Sequence, residues 1–439
     1  MNQQSMEILE KIRRQFDDAP YPNIPLDENP KEEYKTLYKH NLTTSYYIRN
    51  QQVLNPENKV ILDAGCGTGY KSLILATANP GAKIIGVDLS EESVKLADQR
   101  LKYHGISDAE FYALSIEDLP DLGMQFDYIN CDEVLYLLPN PILGLKAMKA
   151  VLKPDGIIRV NFHSSLQRFI YLQAQKFFNS IGVMDNPSQK EQVEAVREFM
   201  SVLKPNVQIK SYGWAPHFEK DDEVVLANYL LQGDKGWTIP EFFAALREAD
   251  LEFISMVNWY QWDLMNLFDN VEDLPVFVAI ALAEKSFEEQ LHLFELLNPT
   301  NRLLDLWCGN PGAAQPFISV EEWSFEQWRS ATVHLHPQCR IPALKEELIT
   351  CVTHLKMFEL SQYFRTTDDT VTIDSLMAGC LLPLMDQPQP MMQLVERLQL
   401  LRPVSPVTLA ATDPDDAFEL VRQLLIPLER LGYVFVEQA

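Results

Sequence analysis

The sequence predicts an α/β fold: an open, doubly wound parallel sheet with a helical insertion, followed by a mainly helical C-terminal region. Three observations predict it. Short apolar runs alternate with helical segments from Lys59 to about residue 162. Two of those runs, Ile61-Leu62-Asp63 and Gly86-Val87-Asp88, each end in an acid, and the first leads into the glycine-rich turn Gly65-Cys66-Gly67-Thr68-Gly69. Alternation of this kind places parallel strands side by side through crossover helices.

The elements follow in order. Pro20-Tyr21-Pro22-Asn23-Ile24-Pro25 is extended, because each proline restricts its predecessor. Glu32 to Gln51 reads as a helix carrying Tyr34, Tyr38, Tyr46 and Tyr47. Strands are expected at Val60–Asp63, Lys83–Asp88, Glu110–Ala113, Phe126–Cys131 and Ile157–Phe162. Helices are expected at Tyr70–Ala78, Ser90–His104 with Ser90 as its cap, and Pro141–Leu152. Residues 164–235 interrupt the alternation with helical, aromatic-rich sequence. Ile239–Ala249 then returns as a helix, and Leu251–Trp259 and Val276–Ala283 are two further strand candidates. The core is expected to close near residue 285. Residues 286–365 read as a helical connection. Residues 366–439 read as a small winged-helix-like module, with helices around Asp374–Leu384, Met391–Leu401 and Ala417–Leu428 between short β-like runs.

At 439 residues, 46% of them hydrophobic, two or three domains with real cores are expected. No stretch approaches the roughly 18 consecutive apolar residues of a membrane helix. Met1 to Glu7 lacks a basic-then-apolar signal pattern, so a cytoplasmic location is expected. The net charge of −25 opposes binding to phosphate backbones and anionic membranes, so neither is expected as a partner. It reads as solubility, or as complementarity to a basic or neutral protein. Cys66, Cys131, Cys308, Cys339, Cys351 and Cys380 stand at no metal-ligand spacing, and reduced, mostly buried thiols without a metal site are expected. His334-Leu335-His336 reads as a surface loop beside Pro337 rather than as two ligands.

In Asp63-Ala64-Gly65-Cys66-Gly67-Thr68-Gly69 the acid precedes three alternating glycines. A nicotinamide fingerprint spaces its glycines to seat a pyrophosphate on a helix N-terminus. This loop suits a ligand with an amino group for Asp63 to orient and no pyrophosphate, with Asp88 on the ribose hydroxyls. S-adenosylmethionine (SAM) is such a ligand. Over roughly residues 40–285 the sequence resembles the class I SAM-dependent methyltransferases. The resemblance implies a Rossmann-like seven-stranded sheet over residues 51–285. It implies Asp63 and Gly65 to Gly69 at the methionine end, including Cys66, Gly67 and Thr68, and Leu89 on the adenine. Ser115 and Ile116 match the adenine-edge station, and Asn130 and Cys131 end the strand beneath the reacting methyl group. Val151-Leu152-Lys153-Pro154-Asp155-Gly156 matches the turn before the fifth strand. Leu304-Asp305-Leu306-Trp307-Cys308-Gly309-Asn310-Pro311-Gly312 superficially repeats the loop, but Trp307 stands where the close-approach glycine belongs, so no second cofactor site is read there.

A methyltransferase mainly aligns the nucleophile, removes its proton and excludes water. The candidates are Asn130, Asp132 and Tyr136 near the methyl position, and His163 as a proton acceptor or a structural hydrogen-bonder. Asp/Asn-Pro-Pro-Tyr, the family's motif for planar amides and exocyclic base nitrogens, is absent. A closer resemblance rests on Ala19-Pro20-Tyr21-Pro22, Phe162-His163-Ser164-Ser165, Asp234-Lys235-Gly236-Trp237 and Leu381-Leu382-Pro383-Leu384-Met385-Asp386. These are similar to bacterial protein methyltransferases with a methyltransferase regulatory domain and a C-terminal winged-helix-like module. That resemblance implies a protein lysine nitrogen as acceptor, with another side-chain nitrogen, of asparagine type, as the alternative. Asp132-Glu133 departs from it, standing where members often have His-Gly. A small-molecule acceptor and a SAM-binding regulator without turnover remain open. Residues 1–50 are a helical lead-in whose Tyr38, Tyr46 and Tyr47 form either an aromatic lid over the cofactor or a helix face packed on the sheet. Trp214, Trp237, Trp259 and Trp262 wall a substrate groove or fill the core.

Overall fold

The computed structural model describes Arg13, Asp17 and residues 20–315, 317–364 and 370–438. Of the segments singled out above, Met1 to Glu7 and Ala19 lie outside these residues.

The central sheet holds β1 (Val60–Ala64), β2 (Lys83–Asp88), β3 (Ala109–Ala113), β4 (Phe126–Cys131), β5 (Leu152–Ser164), β6 (Gly236–Trp237), β7 (Glu252–Met256) and β8 (Leu303–Gly309). Their order is β3-β2-β1-β4-β5-β8-β7, with β6 paired to the end of β5. Every pairing is parallel except those of β8, which runs against both neighbours. This is the expected Rossmann-like sheet. Its strands are continuous apolar runs because helices cover both faces. Ile61, Leu62, Ile84, Ile85, Ile129, Ile158 and Val160 are all fully buried. The helix after β2, Glu91–Tyr103, starts at Ser90, whose Oγ accepts from the Ser93 amide.

The closing strands differ from expectation. Val276–Ala283 is a helix entered from Pro275. An unbroken apolar run of eight residues carries no period that separates strand from helix. The sheet is completed instead by β8, the segment that superficially repeats the glycine loop, so it runs past residue 285. Trp307 is buried in β8 and its indole N–H donates to Tyr128 Oη at 3.0 Å.

The insertion after β5 holds helices Phe169–Ser180, Gln189–Val202, Gln208–Gly213 and Asp222–Tyr229. They bury a separate small core around Phe178, Val196, Met200, Phe218 and Tyr229. In the C-terminal part, Thr332–Leu335 lies between Gln389–Pro390 and Val434–Glu437 in an antiparallel sheet. Helices Ser375–Leu381, Met391–Leu401 and Pro414–Arg430 pack with it. The first strand of this unit therefore falls inside the stretch expected to be a helical connection.

The lead-in helix is broken in two at Asn41, whose side chain caps Leu42–Asn50 by accepting from the Thr43 amide. Its tyrosines bind structure to structure rather than forming a lid over the glycine turn. Tyr46 Oη donates to the Asp127 carbonyl, Tyr38 Oη to the Gly432 carbonyl and Tyr47 Oη to Glu429. Tyr38 also stacks on His336 at 4.1 Å between centroids. His334 and His336 are thus not a surface loop: His334 sits in the strand, and His336 is fully buried, contacting Thr44 Oγ1 at 2.8 Å. All six cysteines are free and buried. Among the described residues no helix is long and apolar enough to cross a membrane, and no cluster of three or more His, Cys, Asp or Glu is placed to hold a metal.

Candidate active site

The ends of β1, β2 and β4 open on a cleft of about 380 Å³, within the range of roughly 300–1,000 Å³ usual for small-molecule sites. Gly65, Cys66, Gly67, Asp88, Leu89, Ser115 and Ile116 line it, and so does Asp132. Asp88 is fixed in place: its Oδ2 accepts from the Gly67 amide and its Oδ1 from the Ser90 amide, both at 3.0 Å. Burial pushes its carboxyl above the ordinary carboxylate range, and the backbone amides partly offset that.

The other expected cofactor residues stand beneath the lining and hold it. Asp63 is buried, with Oδ2 accepting from Ser72 Oγ at 2.6 Å and Oδ1 from Asn130 Nδ2 at 3.0 Å. Both oxygens are occupied, and burial raises its carboxyl to about 6. Asn130 is fully buried, its Oδ1 accepting from Arg159 at 3.2 Å. Cys131 is buried in the core behind the cleft. Gly69, at φ 83°, caps the helix Tyr70–Ala78 and abuts Ala97. Thr68 Oγ1 donates to the Pro22 carbonyl at 2.7 Å.

That last bond reveals a wall the sequence did not announce. The extended segment 20–26 lies across the glycine turn. The Thr68 amide donates to the Tyr21 carbonyl, and Arg100 donates to the carbonyls of Ile24 and Pro25, each at 2.7 Å. Tyr21, Pro22 and Ile24 therefore line the cleft, with Tyr70, Lys71, Val134 and Leu138. The prolines signal an extended chain, but nothing local says where it lies. Arg100 reads from sequence as an ordinary helix cation.

A second cavity, of about 340 Å³, adjoins the first and shares Tyr21, Glu133 and Leu137 with it. Tyr136 and His163 line it with Glu223, Leu226 and Arg302. His163 Nδ1 donates to Asp234 at 2.7 Å, and its Nε2 accepts from Arg302 at 3.1 Å. Burial holds this imidazole below its ordinary pKa, so it is neutral with both nitrogens engaged. It stacks on Tyr136 at 3.8 Å and positions that ring. Asp234 also accepts from Arg168 and Gln175, which ties the insertion to the end of β5.

Glu133 has φ 60°, a left-handed conformation uncommon outside glycine, which marks stored strain. Its amide donates to Asn161 Oδ1 at 2.8 Å, and Asn161 Nδ2 donates to Asp132 Oδ1 at 2.6 Å. Asp132 pairs with Lys71 at 2.6 Å and lies 3.6 Å from Arg159; these cations hold its carboxyl well below the ordinary range despite burial. Asp132 thus anchors the turn that presents Glu133. Glu133 pairs with Arg302 at 2.8 Å. Burial, and then the charges of Glu133 and Glu223, push the Tyr21 phenol upward, while the Arg302 charge opposes them.

Residues 55–200 match the family described as "Methyltransferase domain". An uncharacterised protein of Synechococcus sp. is 26% identical over 307 residues, which is 69% of this chain and 72% of that protein. A ubiquinone biosynthesis O-methyltransferase of Bordetella avium is 30% identical over 168 residues, which is 34% of this chain and 66% of that protein. Among solved structures, PKMT2 from Rickettsia typhi in complex with AdoHcy is similar over 92% of this chain and 76% of that one, with a TM-score of 0.57 and 17% identity. The last similarity extends the shared fold beyond the sheet into the C-terminal part.

Proposed function

As a class I SAM-dependent methyltransferase, the chain requires a methyl acceptor, and we propose that the acceptor is a nitrogen of a protein side chain, a lysine-type amine ahead of an asparagine-type amide. The first cavity suits SAM. Ser93 lines it and is buried, and its Oγ has no hydrogen-bond partner among the described residues. Asp88 presents a fixed carboxylate for ribose hydroxyls, and Leu89, Leu114 and Ile116 offer apolar surface to a flat ring. When bound, SAM supplies an electrophilic methyl group. Asp88→Ala should weaken SAM binding by about 1.5–3 kcal/mol, the scale of hydrogen bonds to a charged group. Unchanged affinity by calorimetry would remove Asp88 from the site.

The observation that carries the acceptor reading is Glu133, strained and shared by both cavities. Glu133 is paired with Arg302, but with Glu223 across the second cavity the two carboxylates outnumber that one cation, and the excess negative charge draws an ammonium group toward the cofactor cleft. Tyr21 and Tyr136 bring hydroxyls that orient a nitrogen lone pair. A hydroxyl acceptor requires a general base, and His163 has no ring nitrogen left for that role. A neutral amine attacks without one, once its proton has passed to a carboxylate or to solvent. The cavity walls come from segment 20–23, the turn after β4, His163 of β5, the insertion and Arg302.

The test incubates the protein with radiolabelled SAM and cell extract, before and after protease treatment, then hydrolyses labelled protein to identify the methylated residue. Methyl-lysine is expected. Label confined to small molecules would sink the reading and leave a metabolite methyltransferase. Glu133→Gln should lower kcat/KM about tenfold or more through loss of a charge-assisted contact, with little change in the Kd for SAM.

A further inference from the structure

We propose a second ligand site, at the junction of the sheet's far edge and the C-terminal unit, that binds an ammonium group carried on an apolar body. A cavity of about 630 Å³ lies there, lined in part by Ile254 and Met256 of the edge strand β7 and by Glu429 and Phe435 of the C-terminal unit. It shares no lining residue with the cofactor and acceptor cavities, so the inference stands apart from the methyl-transfer reading.

Its chemistry is specific. Trp259, Trp262, Phe287 and Phe317 give it aromatic walls, the surface that attracts cations through the ring quadrupole. Asp263, Glu321 and Glu429 contribute three carboxylates to the lining, and Arg430 is its one cation among the described residues. Glu429 is the half-buried member. Tyr47 Oη donates to its Oε1 at 2.8 Å, and no hydrogen bond to its other oxygen is found among the described residues. Burial, with the charge of Glu321 added, raises this carboxyl to about 7, against the relief that Tyr47 gives. A cation there would restore the charged form. Trp259 Nε1 donates to the Arg430 carbonyl at 3.2 Å, so the wall itself joins the two units, and a ligand there touches both. Cavities at such junctions are common small-molecule sites.

Two sources share this chemistry: a free amine and a basic side chain of a polypeptide. The experiment titrates the full chain with phenethylamine, with its neutral counterpart phenethyl alcohol, and with an N-acetyl-lysine-amide-capped tripeptide. It reads calorimetry and tryptophan fluorescence at about pH 8, where an alkylamine of ordinary pKa near 10.4 stays charged. Saturable binding of an amine is expected, about tenfold tighter than the alcohol. Glu429→Gln, which keeps an acceptor for Tyr47, should weaken it about tenfold, and the exposed Glu321→Gln should weaken it less. Asp88→Ala should leave it unchanged. Binding of the tripeptide points to a polypeptide source, and binding of phenethylamine alone to a free amine; either supports the site. No saturable binding of either amine, equal binding of the alcohol, or wild-type affinity in both glutamine variants with native unfolding curves would overturn it.

Discussion

Gly67→Ala should weaken SAM binding by a hundredfold or more, about 2.7 kcal/mol, in calorimetric titration. Two effects add. Gly67 has φ 51°, a left-handed conformation that costs an alanine roughly 1–2 kcal/mol. The new Cβ would also drive into the Tyr21 carbonyl oxygen, which is backbone and cannot rotate away. Relief requires segment 20–26 to lift off or the turn to retreat. The first removes Tyr21, Pro22 and Ile24 from the lining; the second breaks the bond from the Gly67 amide to Asp88. Gly105→Ala is the control, since Gly105 also has positive φ, at 75°, but a Cβ there meets open space. It should cost only the backbone term and leave SAM affinity intact. A Gly67→Ala protein that binds SAM as tightly as the Gly105→Ala protein would contradict the strap across the turn.

Arg159→Met should cost about 3–5 kcal/mol of stability in denaturant unfolding, the range for breaking a buried pair by removing one partner. Arg159 is 3% exposed and centres a polar cluster inside the sheet. It grips Asp305 of β8 with two bonds, Nε to Oδ1 at 3.0 Å and Nη2 to Oδ2 at 2.6 Å. Its Nη1 donates to His40 Nε2 at 2.7 Å and to Asn130 Oδ1 at 3.2 Å. Burial lowers His40 to about 4, so it is a neutral acceptor there and does not replace the lost charge. Without Arg159, Asp132 keeps only Lys71 as a close cation, and Asp305 keeps none at ion-pair distance among the described residues. Methionine fills the volume, so a loss of this size reports unpaired charge rather than a void. A loss under about 1 kcal/mol would mean that water reaches these carboxylates. Methyl transfer should suffer too, because Asp132 holds Asn161 and Asn161 holds Glu133.

Legibility followed distance along the chain. The strands from β1 to β4, the capped helix after β2 and the helix Met391–Leu401 were readable because period, cap residues and turn glycines act within a few positions. Val276–Ala283 was not, since an eight-residue apolar run has no period to read. β8 was masked by its likeness to the glycine loop. It is a strand because its backbone pairs on both sides, with β5 and β7, which no local rule predicts. The tyrosines of the lead-in were visible as aromatic residues, but their partners lie up to 394 positions away.

Of the proposed site, the sequence by itself determined the cofactor end. Gly65, Gly67, Asp88 and Leu89 act through one strand–turn–helix unit and its neighbour, so their spacing already fixes what they surround. Tertiary structure alone decided the proposed acceptor end. Tyr21, Glu133, Glu223 and Arg302 belong to four distant segments, and they share one field only when the strap, the turn after β4, the insertion and the start of β8 close on each other. Tertiary structure also divided the expected residues into those that face the cleft and those that hold it. Asp63 and Asn130 carry the right chemistry for a site, but buried polar groups must be satisfied, and here they satisfy each other, whereas Asp132 faces the cleft and is held by Asn161, Lys71 and Arg159.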